Sequence, residues 1–426
     1  MYFIYSLIYA IVIFFLLPFE YFKRPGDLRT RWLREKFGLL DLEPRASKPP
    51  GRTLDQSGSV WVHAVSVGEV IAAAPLLKRI RERYPAKGII LSTITDTGQK
   101  VASERAPAGT KIVYLPFDVP LVLNPVLRRA NPCLLIVIET ELWPNMFRLF
   151  GAHRIPVILM NGRISEKSFR GYQKISFFMK RVLSNVDFFG MQNDEYAGRI
   201  ISLGVDRARV KTLGNFKFDS GPSSRPPEWA AKIKGPVITA GSTHEGEEEL
   251  MASLYLALKK DFPNLNVIIA PRHPERFRSV ADMLCARGVP FVKRSDFEHG
   301  NGSSSIEGQL ILLDSVGELS SVYGMSDIAV IGKSFRGAGG QNPLEPAYWG
   351  RPVICGPHME NFPVIQDFYE EGAAIEVNEE GLYVQLKELL VSPDRAKEIG
   401  SRAQKLYRRN SGAVEKAMEV IARYIS

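Results

Sequence analysis

Over most of its length the chain alternates between short continuous apolar runs and longer stretches whose apolar positions recur every three or four residues. A continuous run bounded by turn residues predicts a strand covered on both faces, and the longer spacing predicts a helix. The runs 60–65 (VWVHAV), 88–93, 111–115, 133–138 and 156–160 predict five strands, with shorter candidates at 188–191 and 210–213. A helical pattern at 70–83 follows the first of them. Residues 216–227, FKFDSGPSSRPP, interrupt the alternation. It restarts with strands predicted at 236–240, 266–270, 309–313, 328–331 and 352–355, and 393–425 is helical by pattern. Strands alternating with helices imply an α/β fold with parallel, doubly wound sheets. Two such series in 426 residues imply two domains. VWVHAVSVGE and PVITAGSTHEGE open them in the same style, as two similar domains and not as a solenoid repeat.

Ahead of the first strand, 1–18 (MYFIYSLIYAIVIFFLLP) carries no charged side chain. It has neither the positive start nor the small-residue cleavage site of a signal peptide. Its length is near the lower limit for a helix that crosses a bilayer. Lys23, Arg24, Arg29, Arg31, Arg34 and Lys36 follow, an excess that puts the downstream chain on the cytoplasmic side. The segment is expected to be a membrane anchor, either spanning or half-inserted, with Trp32 at the headgroup layer. A buried hydrophobic helix is the alternative, and the basic flank argues against it. The expected division is an anchor at 1–22, a basic interfacial segment and linker at 23–58, an N-terminal domain at 59–215, an interdomain linker at 216–234 and a C-terminal domain at 235–426, whose last helix is free to pack back on the N-terminal domain.

The formal net charge of +9 asks for an anionic partner: nucleic acid, a membrane surface or a phosphorylated substrate. No run of Lys and Arg with interleaved aromatics stands out, so nucleic acid is not expected. Cys133, Cys285 and Cys355 are widely spaced and odd in number, which fits a reducing compartment without a disulfide framework or zinc site. No G-x-x-x-x-G-K-[ST] loop is present, and no G-x-G-x-x-G follows the first strand, which disfavours P-loop and NAD chemistry. The six histidines show no metal-ligand spacing and no Asp-x-Asp pair occurs, so no metal is expected.

In open parallel sheets, ligands bind beyond the carboxyl ends of the strands. The polar motifs fall there. After the run 328–331 come Lys333, Ser334 and then Gly337-Ala338-Gly339-Gly340-Gln341-Asn342-Pro343-Leu344-Glu345-Pro346. The glycines let the backbone turn sharply and approach a ligand. Asn342 suits a helix N-cap and Pro343 a first helical position, aiming free N–H groups at an anion. Glu345 then faces neutral groups such as ribose hydroxyls; an ordinary glycine turn is the alternative. Arg272 can hold a phosphate in a fork of two hydrogen bonds, and His273 either assists or is structural. Ser242, Thr243 and His244 close the neighbouring strand. In the first domain Glu69 starts a helix, either as a proton acceptor facing a ligand or as a stabilising first-turn residue, and the helix dipole is expected to keep it ionised. Glu139 and Glu141 either serve a sugar substrate or pair with Arg163 or Arg170. Trp143 either stacks on a sugar or joins the core.

HAVSVGE, ETELWPN, NGRIS, GNFKFD, GSTHEGEE, APRHPERF, GKSF and GGQNPLEPA occur in this order. From near residue 20 to near residue 365, the chain thereby resembles the 3-deoxy-D-manno-octulosonic acid (Kdo) transferases of lipopolysaccharide assembly. The resemblance implies a GT-B architecture: two Rossmann-like domains facing across a cleft, with an N-terminal membrane-anchor helix. It implies CMP-Kdo as donor substrate, lipid IVA (the tetraacyl lipid A precursor) as acceptor, inversion at the anomeric centre, and neither cofactor nor metal. Glu69 corresponds to the family's base. The CMP site corresponds to Arg272 with Pro271 and to Asn342 and Glu345, joined by Ser242, His273, Lys333, Gly340 and Leu344. Glu139 or Glu141 matches an acidic position near the acceptor. Arg163, with Arg170 and Lys217, is a candidate for the anions of Kdo and acceptor. The implied location is the inner membrane, with the catalytic domains on its cytoplasmic face against anionic lipids. Two other readings are a membrane-associated GT-B enzyme using a UDP-sugar, and a non-catalytic protein binding anionic lipid or sugar.

Overall fold

The computed structural model describes residues 1–42, 58–219, 225–298, 306–337 and 339–425. Residues 43–57 of the segment expected at 23–58 lie outside them, as do residues 220–224 of the expected interdomain linker and Ala338 of the glycine turn. The chain forms two compact units, Met1–Ser220 with Ser411–Ser426, and Gly221–Asn410.

In the first unit, seven strands, β1 (Ser59–His63), β2 (Ile89–Thr93), β3 (Thr110–Tyr114), β4 (Pro132–Ile138), β5 (Val157–Gly162), β6 (Phe188–Met191) and β7 (Val210–Thr212), form one sheet in the order β3-β2-β1-β4-β5-β6-β7. Every neighbouring pair is parallel. Successive side chains point to opposite faces. Val60, Val62, Leu134 and Ile136 therefore enter one core, and Trp61, Leu135, Val137 and Leu159 enter the other. Helices cover both faces, which is why these strands read as unbroken apolar runs. The closing helix, Ala413–Ile421, belongs to this unit and buries Val414, Ala417, Met418 and Ile421 in its core. Asp219 holds the start of that helix by accepting from the amides of Gly412 (2.5 Å) and Val414 (2.7 Å).

The second unit repeats the plan. A minor parallel pair, β8 (Ile233–Lys234) and β12 (Ile306–Glu307), lies outside its main sheet. β9 (Val237–Thr243), β10 (Asn266–Pro271), β11 (Phe291–Lys293), β13 (Leu310–Leu312), β14 (Ile328–Ile331), β15 (Val353–Cys355) and β16 (Ala374–Glu376) form the sheet β11-β13-β10-β9-β14-β15-β16. Sequence pattern did not indicate β8, β11, β12 or β16. They are two or three residues long and lie at sheet edges or in the minor pair, and most of their residues are partly exposed, so no apolar run marks them.

The chain opens with two helices, α1 (Tyr2–Lys23) and α2 (Gly26–Lys36). α1 is long and apolar enough to cross a membrane. Trp32, expected in a headgroup layer, is instead 3% exposed. The Arg24 guanidinium lies 4.1 Å above its ring, and Phe117 packs edge-on against it. α2 is stitched to the sheet through Glu35, which accepts from the Tyr114 amide at 2.6 Å.

Candidate functional site

Each sheet has a switch point beside its first strand, between β1 and β4 and between β9 and β14; in the second sheet β13 is also inserted between β10 and β11. The connections leaving adjacent strands diverge there and open a crevice at the carboxyl ends.

In the first unit, β1 leads through Ala64–Ser66 into α3 (Val67–Arg83), with Ser66 at its N-cap. Glu69 is the third residue of α3, so its carboxylate folds back over the helix start. It accepts from the Val65 amide at 2.7 Å and the Ser66 hydroxyl at 3.1 Å. The residue is only 7% exposed. Burial pushes its pKa up to about 7 against the Val65 hydrogen bond, and the charges of Glu141 and Glu139 add to the rise. The expectation that the helix dipole keeps Glu69 ionised at neutral pH is therefore corrected: desolvation outweighs the dipole. Glu141, after β4, is also raised to about 7, by burial and then by the Glu139 charge.

Glu139 takes a left-handed backbone (φ 61°) and its amide donates to the Met160 carbonyl at 2.9 Å. The next residue, Thr140, locks onto the end of β5. Its hydroxyl donates to the Arg163 carbonyl at 2.6 Å and accepts from the Arg163 amide at 3.0 Å. Arg163 is thus placed beside the acidic loop by its main chain. Arg170 pairs with Glu166 at 2.9 Å. Lys217 lies in the fields of both Glu139 and Arg163; burial lowers its pKa, while the Glu139 charge raises it. Trp143 is claimed by the core side: its indole N–H donates to His63 Nε2 at 3.1 Å. His63 Nδ1 sits 2.9 Å from the Ser92 hydroxyl and 3.1 Å from its carbonyl. An indole only donates, so the imidazole proton is on Nδ1. Complete burial drives the His63 pKa down to about 3.

In the second unit, Ser242, the penultimate residue of β9, has φ 55°, and Lys333 follows β14 with φ 57°. With Glu139 and Asn161 (φ 56°), four of the non-glycine residues with left-handed backbone stand at strand ends facing the switch points or beside them. Such strain costs roughly 1–3 kcal/mol per residue and concentrates at functional sites. The group that holds the second cluster together is Glu247, 2% exposed, which sequence reasoning did not single out. Its carboxylate accepts from the amides of His244 (2.9 Å), Lys333 (2.7 Å), Phe335 (3.2 Å) and Arg336 (3.4 Å). One buried side chain thereby ties the loop after β9 to the loop after β14. In the sequence it is hidden in the run Glu247-Glu248-Glu249, which looks like a solvated helix start. Its place directly after Gly246 was the available signal.

Pro271 is the last residue of β10, and the Arg272 amide donates to the Thr243 carbonyl at 3.0 Å, leaving the Arg272 side chain exposed. The rings of His244 and His273 meet edge to face at 5.5 Å. In the glycine turn, Gly339 (φ 112°) and Gly340 (φ 61°) have no room for a side chain. A Cβ would lie 2.1 Å from Asn361 Nδ2 at the first and 2.2 Å from Met359 Sδ at the second. The expected helix starts one residue late, as Leu344–Tyr348 with Pro343 at its N-cap. Asn342 still caps: its side-chain oxygen accepts from the Leu344 amide at 3.1 Å, while its amide nitrogen donates to Glu345 at 3.3 Å. The Leu344 N–H is thus engaged by Asn342. The sequence-derived residues fall into two groups. Glu69, Glu139, Glu141 and Arg163 stand at strand ends of the first sheet; Ser242, Pro271, Arg272, His273, Lys333, Gly340, Asn342, Leu344 and Glu345 stand at strand ends of the second. Among the described residues, no three or more His, Cys, Asp and Glu side chains are grouped to hold a metal ion.

The family model for 3-deoxy-D-manno-octulosonic-acid transferase (kdotransferase) matches residues 31–220. A 3-deoxy-D-manno-octulosonic acid transferase of Haemophilus influenzae is 34% identical over 409 residues, which cover 92% of this chain and 91% of that protein. Among solved structures, a UDP-GlcNAc 2-epimerase of Neisseria meningitidis bound to UDP-GlcNAc aligns with a TM-score of 0.56 at 12% identity, over 86% of this chain and all of that one. A glycosyltransferase of Rickettsia africae aligns with a TM-score of 0.52 at 13% identity, over 87% of this chain and 99% of that one. These two structural likenesses concern the fold.

Proposed function

The chain belongs to the 3-deoxy-D-manno-octulosonic acid transferase family and is a glycosyltransferase; from that premise we propose that it moves Kdo from CMP-Kdo to lipid IVA, with inversion and without a metal or cofactor. The observation that carries the proposal is the pair of carboxylates at the β1/β4 switch, buried Glu69 and half-buried Glu141, both raised to about 7. A general base works best with a pKa near the operating pH. Glu69 takes the proton of the acceptor hydroxyl as it attacks the anomeric carbon of Kdo. Glu141, with Glu139, keeps that proton affinity high and orients the acceptor. The first unit is accordingly assigned to acceptor and base, the second to the nucleotide.

On the donor side the leaving group, CMP, departs already ionised, so it needs hydrogen-bond donors and positive charge, not a general acid. Arg272 and Lys333 supply charge, and Ser242 and His273 stand at the same strand ends. Asn342 and Glu345 flank the glycine turn for the nucleoside, with Pro271, Gly340 and Leu344 shaping the wall. Kdo carries a carboxylate and lipid IVA two phosphates; Arg163 and Lys217 are assigned to these anions. A lipid-embedded acceptor also gives α1 its purpose, holding the enzyme at the cytoplasmic face of the inner membrane.

Mass analysis of lipid IVA after incubation with CMP-Kdo and this protein tests the reaction. A mass gain of one or more Kdo residues is expected. Thermal protection separates the donors: CMP should raise the melting temperature and UDP should not. No mass gain, together with protection by UDP alone, would overturn the assignment.

A further inference from the structure

α1 carries two different faces along its whole length. Tyr2, Tyr5, Ser6, Tyr9, Ile13 and Leu17 are partly covered and form one helical stripe, turned toward the first unit. The stripe is bonded, not merely adjacent. The Tyr5 hydroxyl donates to Asp118 at 2.9 Å, and Asn145 Nδ2 donates to the Ser6 hydroxyl at 2.9 Å. The Tyr2 hydroxyl donates to the Arg181 carbonyl at 3.0 Å, and the Phe178 ring packs on Tyr2 and Tyr5 at 5.8 and 6.0 Å. Beyond the other end of the helix, the Arg24 guanidinium reaches Asp96 at 3.2 Å. The opposite face, including Phe3 (79% exposed), Phe14 (74%), Phe15 (73%) and Phe22 (68%), is turned to the outside.

A helix crossing a bilayer stands clear of its soluble domain and meets lipid all round. This one is fastened to its domain at both ends, through Tyr2, Tyr5, Ser6 and Tyr9 at its start and through Arg24 just past its end. Lifting it away would strip Asp118, 1% exposed, of its Tyr5 partner. We propose that α1 does not cross the membrane but lies in its plane, with the bonded stripe on the first unit and the phenylalanine face sunk into one leaflet of an anionic bilayer. The proposal rests on the membrane-anchor reading above and specifies its geometry.

The surroundings fit a lipid surface as the occupant. Every exposed large apolar side chain of the first unit, among the described residues, is on α1, at its Met1 cap, or in 37–39, Leu121 or 175–177. Phe177 (68%) neighbours Phe178, and Leu121 (87%) is three residues past Asp118. Lys23, Arg34, Lys174, Lys180 and Arg181 are exposed in the same segments, a basic rim for acidic headgroups.

The test uses the full chain on vesicles of three parts phosphatidylethanolamine to one part phosphatidylglycerol. Ile4, Ile11, Phe15 and Phe22 fall on one line of the outer face and span about 27 Å of helix. Each is changed to Cys in a C285S background, spin-labelled, and its depth read from collision with oxygen and a polar nickel complex, the background protein serving as blank. The in-plane arrangement gives four similar depths, about 5–10 Å below the headgroups. A profile reaching the midplane near Ile11 and returning to water at Ile4 and Phe22 would overturn the in-plane arrangement and leave anchoring intact. Failure of the unsubstituted chain to float with vesicles, or a soluble dimer in its place, would overturn both. The double change F14E/F15E should weaken vesicle binding by about tenfold or more per side chain with its melting temperature unchanged. Undiminished binding by a folded variant would also sink the proposal.

Discussion

Both sheets are seven-stranded with a switch point beside their first strand, though the second inserts β13 between β10 and β11, yet their strand ends have opposite chemistry. At β1/β4, carboxylates crowd together in a poorly solvated place, and Glu69 finds one amide and one hydroxyl. At β9/β14, the central carboxylate, Glu247, collects four amides. The first arrangement leaves acids eager for a proton. The second fixes a carboxylate as a brace under a rim of Arg272, His273 and Lys333. The same kind of sheet thus carries the proposed proton acceptor in one unit and the proposed anion site in the other.

Exchanging the carboxylate oxygen of Glu69 should break the contrast most severely. Glu69→Gln is expected to lower transfer by roughly 10²–10⁴-fold while CMP still raises the melting temperature, because the residues proposed for the nucleotide lie in the other unit. Near-normal transfer by this variant would remove Glu69 from the mechanism. Next in size, Arg272→Ala should weaken CMP binding by about 10–100-fold, the worth of a charged hydrogen bond, read by titration calorimetry; unchanged affinity would exclude Arg272 from the phosphate. Glu247→Gln puts an amide donor among backbone donors. It should cost about 1–3 kcal/mol in denaturant unfolding and loosen CMP binding with it. A stable variant with full CMP affinity would show that the brace is dispensable.

The smallest effect is the most diagnostic. Glu69 must be deprotonated to act, so kcat/KM should rise with pH through about 7. Glu141→Gln removes a charge that raises the Glu69 pKa, so the rising limb should move to lower pH. The same change should stabilise the fold at pH 8. A carboxylate raised in the folded state, here to about 7, costs stability increasingly as pH climbs from the unfolded value to the folded one. At pH 8 the gain should appear as a few degrees of Tm, roughly 2–4 °C per kcal/mol recovered, and at pH 5 it should vanish. A Tm gain equal at both pH values would mean that Glu141 is not a strained carboxylate.

Much of this was legible in the sequence because a strand covered on both faces must be apolar throughout. Val60–Val62 and Leu134–Ile138 form such strands, and polar motifs at their ends marked the candidate sites. What the sequence hid depends on distant partners. The helix dipole near Glu69 is local and visible, but the burial that overrides it, and Glu141 with it, comes from another strand. Glu247 looks like any acid at a helix start until Lys333 and Phe335 arrive from residues far along the chain. The cap at Asn342 was correct in kind and displaced by one residue, because Pro343 serves as the cap position and not the first turn. α1 read as uniformly apolar because its tyrosines count as hydrophobic, although their hydroxyls are what fasten it.

His63 has a bearing on how the enzyme answers acid. Its Nε2 lone pair is committed to the Trp143 indole, and protonating it would break the link that seats the loop bearing Glu141. With its pKa near 3, the ring stays neutral far below the range near 7 in which Glu69 and Glu141 take up protons. It behaves as an inert peg, and mild acidification silences the carboxylates while their scaffold stays in register, so activity lost on acidification should return in full on neutralisation.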